Sequence, residues 1–285
     1  MHPTHALAGG ELPTIRVATY NMLDGGVDTS STKRWKQQME MLNEVAPDVL
    51  CLQEAKHFDA GLGQMAKATA DALGMYWEIA PSASHGCHVM TLVRPGRVQF
   101  RDFEADVAEG TFHHTASRAA LVALDTGWEF EVIATHLAPF WPAKRSEEAS
   151  WLTEHGKKDN VLLVGDLNSR APGDPEPADW DWLPAHLHSR HRVLNQDGSY
   201  GPSDRRALAA LFHAGFRDPV THAQFPWAQT VGYWSEEERD VYRSDYVLAS
   251  EGMAHRLVSW AVVDTAVTRQ ISDHLPCYAD IASGV

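Results

Sequence analysis

Cysteine is scarce in this chain. Only Cys51, Cys87 and Cys277 occur in 285 residues, and an odd, scattered set supports neither a disulfide framework nor a paired-cysteine zinc site. Long apolar runs are lacking too. Nothing approaches the roughly 18 residues that a membrane span needs, and the opening MHPTHALAGGELP has neither the basic nor the apolar region of a secretory signal. No membrane partner is expected, and a reduced, cytoplasmic setting is. Basic residues are outnumbered, 24 Lys and Arg against 38 Asp and Glu, for a net charge of −14. That balance repels polyanions at long range and argues against strong non-specific binding of duplex DNA, unless cations supply local positive charge. No solenoid-length repeat and no Gly/Ser-rich linker divides the chain. The expected division is a flexible tail at 1–14 and a single domain over 15–285, with no indication of oligomeric state.

What is present is a series of short apolar runs of strand length. They are Ile15–Thr19, Val49–Leu52, Val89–Val93, Ala119–Leu124, Phe130–Thr135, Val161–Val164, Tyr246–Ala249 and Leu257–Val263. Helical spacing joins Trp35, Met39 and Leu42, then Met65, Thr69 and Ala72, then Leu208, Leu211 and Phe212. Ala143–His155 also has a helical pattern, with Glu147, Glu148 and Glu154 expected outward and Trp151 and Leu152 inward. The stretch 170–203 is rich in Pro, Gly, Asp and His with little periodicity. Its Trp180, Trp182 and Tyr200 favour an ordered cover over a disordered loop.

Polar residues sit where the strands end. Ile15–Thr19 runs into Asn21, Val49–Leu52 into Glu54, Phe130–Thr135 into His136, and Val161–Val164 into Asp166 and Asn168; the last strand follows Asp273 and His274. Carboxylate and amide oxygens suit a hard cation, Mg²⁺ or Mn²⁺ in its place. The chemistry that fits is in-line attack of water on phosphorus. Taken singly, each of these residues is equally well a turn or cap device.

At these residues RVATYNMLDGG, DVLCLQEAK, ATHLAP, VLLVGDLNS, YRSDYVLAS and ISDHLPCYADI resemble, in order, the motifs of the endonuclease/exonuclease/phosphatase superfamily, with its DNase I-like fold. The resemblance implies an α/β fold: a four-layer αββα sandwich of two mixed β-sheets flanked by helices. It implies Mg²⁺ at Glu54, Asn21 in or beside the coordination shell, and Asp273 completing a metal site. It makes Asp166 the residue that orients or activates water, with Asn168 on that water or a phosphate oxygen. It makes His274 a phosphate donor oriented by Asp245, has His136 support the phosphate, and has Arg118 contact it. Asp24, one place off the family's carboxylate position, is left outside the site. His85, His88, His113 and His114 are read as ordinary histidines.

The motifs define the reaction more sharply than the substrate. The leading expectation is a metal-dependent phosphodiesterase or nuclease acting on nucleic acid or a nucleotide-like ester. Single-stranded or small substrates are favoured, with Trp234 as a stacking platform. The alternatives are a phosphomonoesterase or small-molecule phosphodiesterase of a specialised pathway, and a non-catalytic binding module of the same fold.

Overall fold

The computed structural model describes residues 12–29 and 31–284. The expected tail therefore falls largely outside the described residues, and Thr14 already opens the first strand.

Apolar positions build two sheets whose central strands meet a partner on both faces. β1 (Thr14–Asn21) and β2 (Val49–Lys56) are parallel and joined by α1 (Lys33–Val45). α2 (Ala60–Leu73), β3 (Tyr76–Ala80), β4 (Cys87–Val93) and β5 (Val98–Glu104) follow. β6 (Thr115–Ala123), β7 (Glu129–His136), α3 (Pro142–Leu152) and β8 (Val161–Asp166) come next, with β7 and β8 the second parallel pair. The stretch 170–203 forms the short α4 (His188–His191) and the hairpin of β9 (Arg192–Leu194) and β10 (Tyr200–Ser203). The chain ends with α5 (Arg206–Ala214), α6 (Pro219–His222), β11 (Asp245–Ala249), β12 (Leu257–Val262), α7 (Thr268–Ile271) and β13 (Cys277–Ala282).

One mixed sheet has the order β12-β13-β1-β2-β4-β3 and the other β11-β8-β7-β6-β5. Between them pack Ile15, Val17, Val49, Cys51, Leu162 and Val164. The alternate residues Ala18, Tyr20, Leu50 and Leu52 face Met39, Leu42, Ala66 and Leu73 of α1 and α2. Likewise Ile133, Leu163 and Leu248 face Ala149, Leu152, Leu208 and Leu211 of α3 and α5. The result is the four-layer αββα sandwich that the motifs imply, with period-two alternation separating the inner layer from the two outer ones.

Local differences from the sequence reading follow packing. The edge strands β3 and β5 have exposed alternate positions, so they lack an apolar run to announce them. On α2 the buried stripe is Ala66, Thr69, Ala70 and Leu73, and Ala72 is exposed, so the Met65–Thr69–Ala72 spacing is rotated. Along α3 and just beyond it Glu147 and Glu154 face outward and Leu152 inward as expected, but Glu148 is buried and Trp151 is 48% exposed. Glu148 is drawn inward because its two carboxylate oxygens accept His113 N–H at 2.6 Å and Ala138 N–H at 2.7 Å, donors that would otherwise lack a partner.

Candidate active site

Both parallel pairs point their C-terminal ends the same way, and the antiparallel β11 and the segment before β13 return to that end. Asp245 pairs with Asp166 across the β11–β8 register, and Ser272 Oγ donates to Asn21 O at 2.8 Å. One end of the sandwich therefore collects Asn21, Glu54, His136, Asp166, Asn168, Asp273 and His274 in a single cleft.

The backbone bends to achieve this. A bulge between Leu52 and Ala55 leaves Glu54 at φ 52°, and Asn168 sits at φ 48°. Non-glycine residues in the left-handed region are uncommon and cluster where a side chain must be re-aimed. Gly165 is required for a different reason: a Cβ there would lie 1.9 Å from Thr135 O, so only glycine lets β8 approach β7 just before Asp166.

Asp166 is the hub. Its Oδ1 accepts Ser244 Oγ–H at 2.6 Å and Asn168 N–H at 2.9 Å, and its Oδ2 accepts Asn21 Nδ2–H at 3.2 Å. His136 Nε2 and His274 Nε2 stand 3.3 and 3.6 Å from that second oxygen. Burial opposes its charge, but His274, His136 and Ser244 outweigh it and hold Asp166 well below the usual carboxylate range. His274 Nδ1 is 2.8 Å from Asp245 Oδ2. Burial disfavours the imidazolium, yet Asp245, Asp166 and Asp273 together hold His274 well above its ordinary value. Asp245 and Asp273 are themselves pushed up, first by burial. Ligand atoms of Asp166, Asp245 and His274 lie within 4.8 Å of one another.

Glu54 faces the same cleft, accepting Asn21 Nδ2–H at 3.4 Å and Asp24 N–H at 2.9 Å. Asn21 stands beside the carboxylates as a donor. Its Oδ1 is taken by Leu23 N–H at 3.0 Å, which turns the amide nitrogen towards Glu54 and Asp166, so the carbonyl oxygen expected for a metal ligand points away. Asp24 pairs with Lys56 and does not line the cleft.

Two sequence expectations fail on geometry. Arg118 lies on the outer face of β6, where strand alternation puts it opposite the buried Ala119. Its guanidinium is held there by Glu131 at 2.8 Å, Glu104 at 3.2 Å and Asp102 at 3.3 Å, away from the cleft. Trp234 is 38% exposed and does not line the cleft either. The rest of that aromatic stretch is structural: Phe225 packs on the inter-sheet core and Tyr233 donates to Ser272 O at 2.8 Å. The aromatic groups that do line the cleft are Phe140 and Tyr242.

The structure adds residues that the sequence reading passed over. Ser244 and Ser272 stand inside the quoted motifs, each next to an assigned Asp, and that adjacency was the available signal. Thr230 Oγ1 accepts from Ser244 N at 2.9 Å and Asp245 N at 3.2 Å, fixing the start of β11. His114 stacks on His136 with ring centroids 4.3 Å apart, which supports the ring from behind. Buried Arg145 donates to Ala138 O at 3.0 Å and to Arg190 O at 2.5 Å, joining the turn after His136 to the 170–203 stretch. That stretch packs as a cover on the cleft. Trp180, Leu183 and Leu187 form a small core of their own, and Leu183, His186, Leu187, Arg190 and His191 line the cleft.

A DNase I-like sandwich with acidic and histidine side chains gathered at one end is the architecture of a phosphoester hydrolase. The chain belongs to the endonuclease/exonuclease/phosphatase family, whose model matches residues 18–274. Similar folds include an endonuclease/exonuclease/phosphatase from Bacteroides vulgatus, at 15% identity and TM-score 0.66 over 95% of this chain and 100% of that one. The AP endonuclease LMAP from Leishmania major is similar at 17% identity and TM-score 0.66, covering 95% and 88%. A mannosyl-6-phosphatase from Bacteroides thetaiotaomicron gives 16% identity and TM-score 0.60, covering 93% and 98%. No curated protein sequence matches the chain. No described helix is long and apolar enough to cross a membrane.

Proposed function

We propose that the cleft hydrolyses a P–O bond of a small, nucleotide-sized phosphate ester with the help of Mg²⁺ or Mn²⁺. The observation that carries this reading is the convergence of Glu54, Asp166, Asp273, His136 and His274 in one cleft of about 430 Å³, bounded by the 183–191 cover. That volume suits a small ligand.

The donor set fits a hard cation. Glu54 and Asp273 face the same space, and neither has a Lys or Arg ion pair among the described residues. Two carboxylates at one site without a Lys or Arg partner suit a divalent ion with oxygen ligands. When bound, such an ion neutralises phosphate oxygens and polarises the ester. The remaining work falls to the chain's own side chains. Asp166, kept ionised, orients the attacking water and takes its proton, with Asn168 beside it. His274, kept protonated and oriented by Asp245, donates from Nε2 to a non-bridging oxygen, and His136 presents a second donor. The three cysteines are free and buried, which accords with a reducing, cytoplasmic setting.

Substrate size separates this reading from a duplex nuclease. Glu237, Glu238 and Asp240 also line the cleft, and a net charge of −14 disfavours a long polyanion. The test is release of nitrophenol from bis-p-nitrophenyl phosphate and from the monoester, beside cleavage of a single-stranded oligonucleotide and duplex DNA, with Mg²⁺, Mn²⁺ or EDTA. The expected result is metal-dependent turnover of the small esters, then the single strand, with duplex last. The monoester-to-diester ratio decides between phosphatase and phosphodiesterase. Absence of metal-dependent hydrolysis of every substrate would overturn the proposal.

A further inference from the structure

Beyond the reacting floor, the cleft presents one arginine that no carboxylate holds. Arg190 lines it, its guanidinium lies 5.1 Å from the Phe140 ring centroid, and among the described residues it makes no ion pair. Other arginines around the cover are each committed: Arg170 to Asp240, Arg205 to Glu176, Arg243 to Asp174 and Asp218, and Arg192 to the carbonyls of Gly201 and Tyr200. Arg190 is also positioned with care. Arg145, only 3% exposed, grips Arg190 O together with the carbonyls of Ala138 and Pro139, at 2.5, 3.0 and 3.3 Å. The backbone of Arg190 is thereby tied to the turn that follows His136. A guanidinium stacked on an aromatic face keeps its fork of donors free for a planar or tetrahedral anion. His186 lines the cleft on the same cover.

We infer that Arg190 is the binding site for a second anionic group of the substrate, so that the preferred ester carries two phosphates or a phosphate and a carboxylate. This rests on the phosphoesterase reading and narrows its substrate class. The reacting phosphate occupies the floor at Glu54, Asp166 and His274, and the second anion lies under the cover. Glu238, which also lines the cleft, lies within electrostatic reach of both Asp273 and Arg190. Its negative charge limits how much anion the cleft accepts, which favours a small dianionic ester over a polymer.

The experiment compares compounds that differ by one phosphate. Adenosine 3′,5′-bisphosphate and adenosine 5′-monophosphate form one pair, and fructose 1,6-bisphosphate and fructose 6-phosphate the other. Each is titrated calorimetrically in Ca²⁺ into the wild-type chain, Arg190→Gln and Arg190→Lys, with wild-type turnover of bis-p-nitrophenyl phosphate measured in parallel. The bisphosphate of at least one pair is expected to bind wild type tenfold or more tighter than its monophosphate. Arg190→Gln is expected to cut that ratio below threefold, and Arg190→Lys to restore part of it. Equal binding within both pairs, or a ratio unchanged in Arg190→Gln, overturns the inference even if the diester is hydrolysed. An Arg190-dependent ratio without metal-dependent turnover of the diester, the monoester or either oligonucleotide sustains the inference and overturns the catalytic reading instead.

Discussion

Asp245 and His274 form a buried pair, Oδ2 to Nδ1 at 2.8 Å, that aims the other ring nitrogen of His274 at the centre of the cleft. His274→Ala is expected to lower kcat by about 10²–10⁴-fold, the range for removing a donor that meets charge developing on an oxygen. Asp245→Asn is expected to cost less. Because the two act through one ring, the double mutant should be no slower than His274→Ala by more than a few-fold. Losses that multiply in the cycle would show the two to be independent.

Glu54 is predicted to act through the cation. Glu54→Gln keeps the shape and removes one charge from an oxygen site, so the Mg²⁺ concentration for half-maximal turnover should rise by an order of magnitude or more. A metal titration with the wild-type midpoint and rate would remove Glu54 from the metal site.

Arg118 gives the opposite expectation. Its three carboxylate partners hold it on the outer face of β6, so Arg118→Met should leave kcat/KM on bis-p-nitrophenyl phosphate within about twofold and stability within about 1 kcal/mol, as for partly exposed ion pairs. A hundredfold drop in kcat/KM would restore it to the phosphate site.

Glu148 is a stability residue next to the site. Glu148→Ala strands the N–H groups of His113 and Ala138 in a buried setting, and each such group costs roughly 1–3 kcal/mol, so a loss of about 2–5 kcal/mol is expected in urea melts. Glu148→Gln still offers one acceptor and should recover about half. Equal stability of Glu148→Ala and wild type would mean that water replaces the carboxylate.

His114 predicts acid lability. Burial first, then His136 and His113, push its pKa down to about 2. The folded state therefore keeps it neutral, while the unfolded chain protonates it near pH 6.5. A depressed value gives stability that is full above about pH 6.5 and is lost as pH falls towards the folded value, at about 1.4 kcal/mol per pH unit. Between pH 6.5 and 5 that is about 2 kcal/mol. His114→Gln should lose about that much less than wild type over the same interval, measured as the urea midpoint at each pH. Parallel pH curves for the two proteins would refute the assignment.

The polar residues placed directly after apolar runs were enough to mark the floor of the site. A strand that ends in Asn21, Glu54, His136 or Asp166 delivers that side chain to the end of its sheet wherever the sheet lies, and the ordered motifs gave the layers. Fold class and the strand-end residues that gather in the cleft were therefore legible in one dimension. Which face a strand residue takes was not. Period-two alternation separates Arg118 from Ala119, but with core layers on both sides of each sheet it does not say which side holds the cleft. The same ambiguity applies on α3, where the turn donors of His113 and Ala138 drew Glu148 inward and left Trp151 outside. Asn21 was marked by its place, yet the direction of its amide was decided by Leu23 N–H, a contact made only once the chain turns. The cover belongs wholly to the tertiary structure. Arg190 and Phe140 are 50 residues apart and carry no shared pattern; Arg145 brings their segments together by gripping carbonyls from both. Strand-end chemistry is set by local order along the chain, whereas the walls that select a substrate arise from side chains that meet only after the layers have packed.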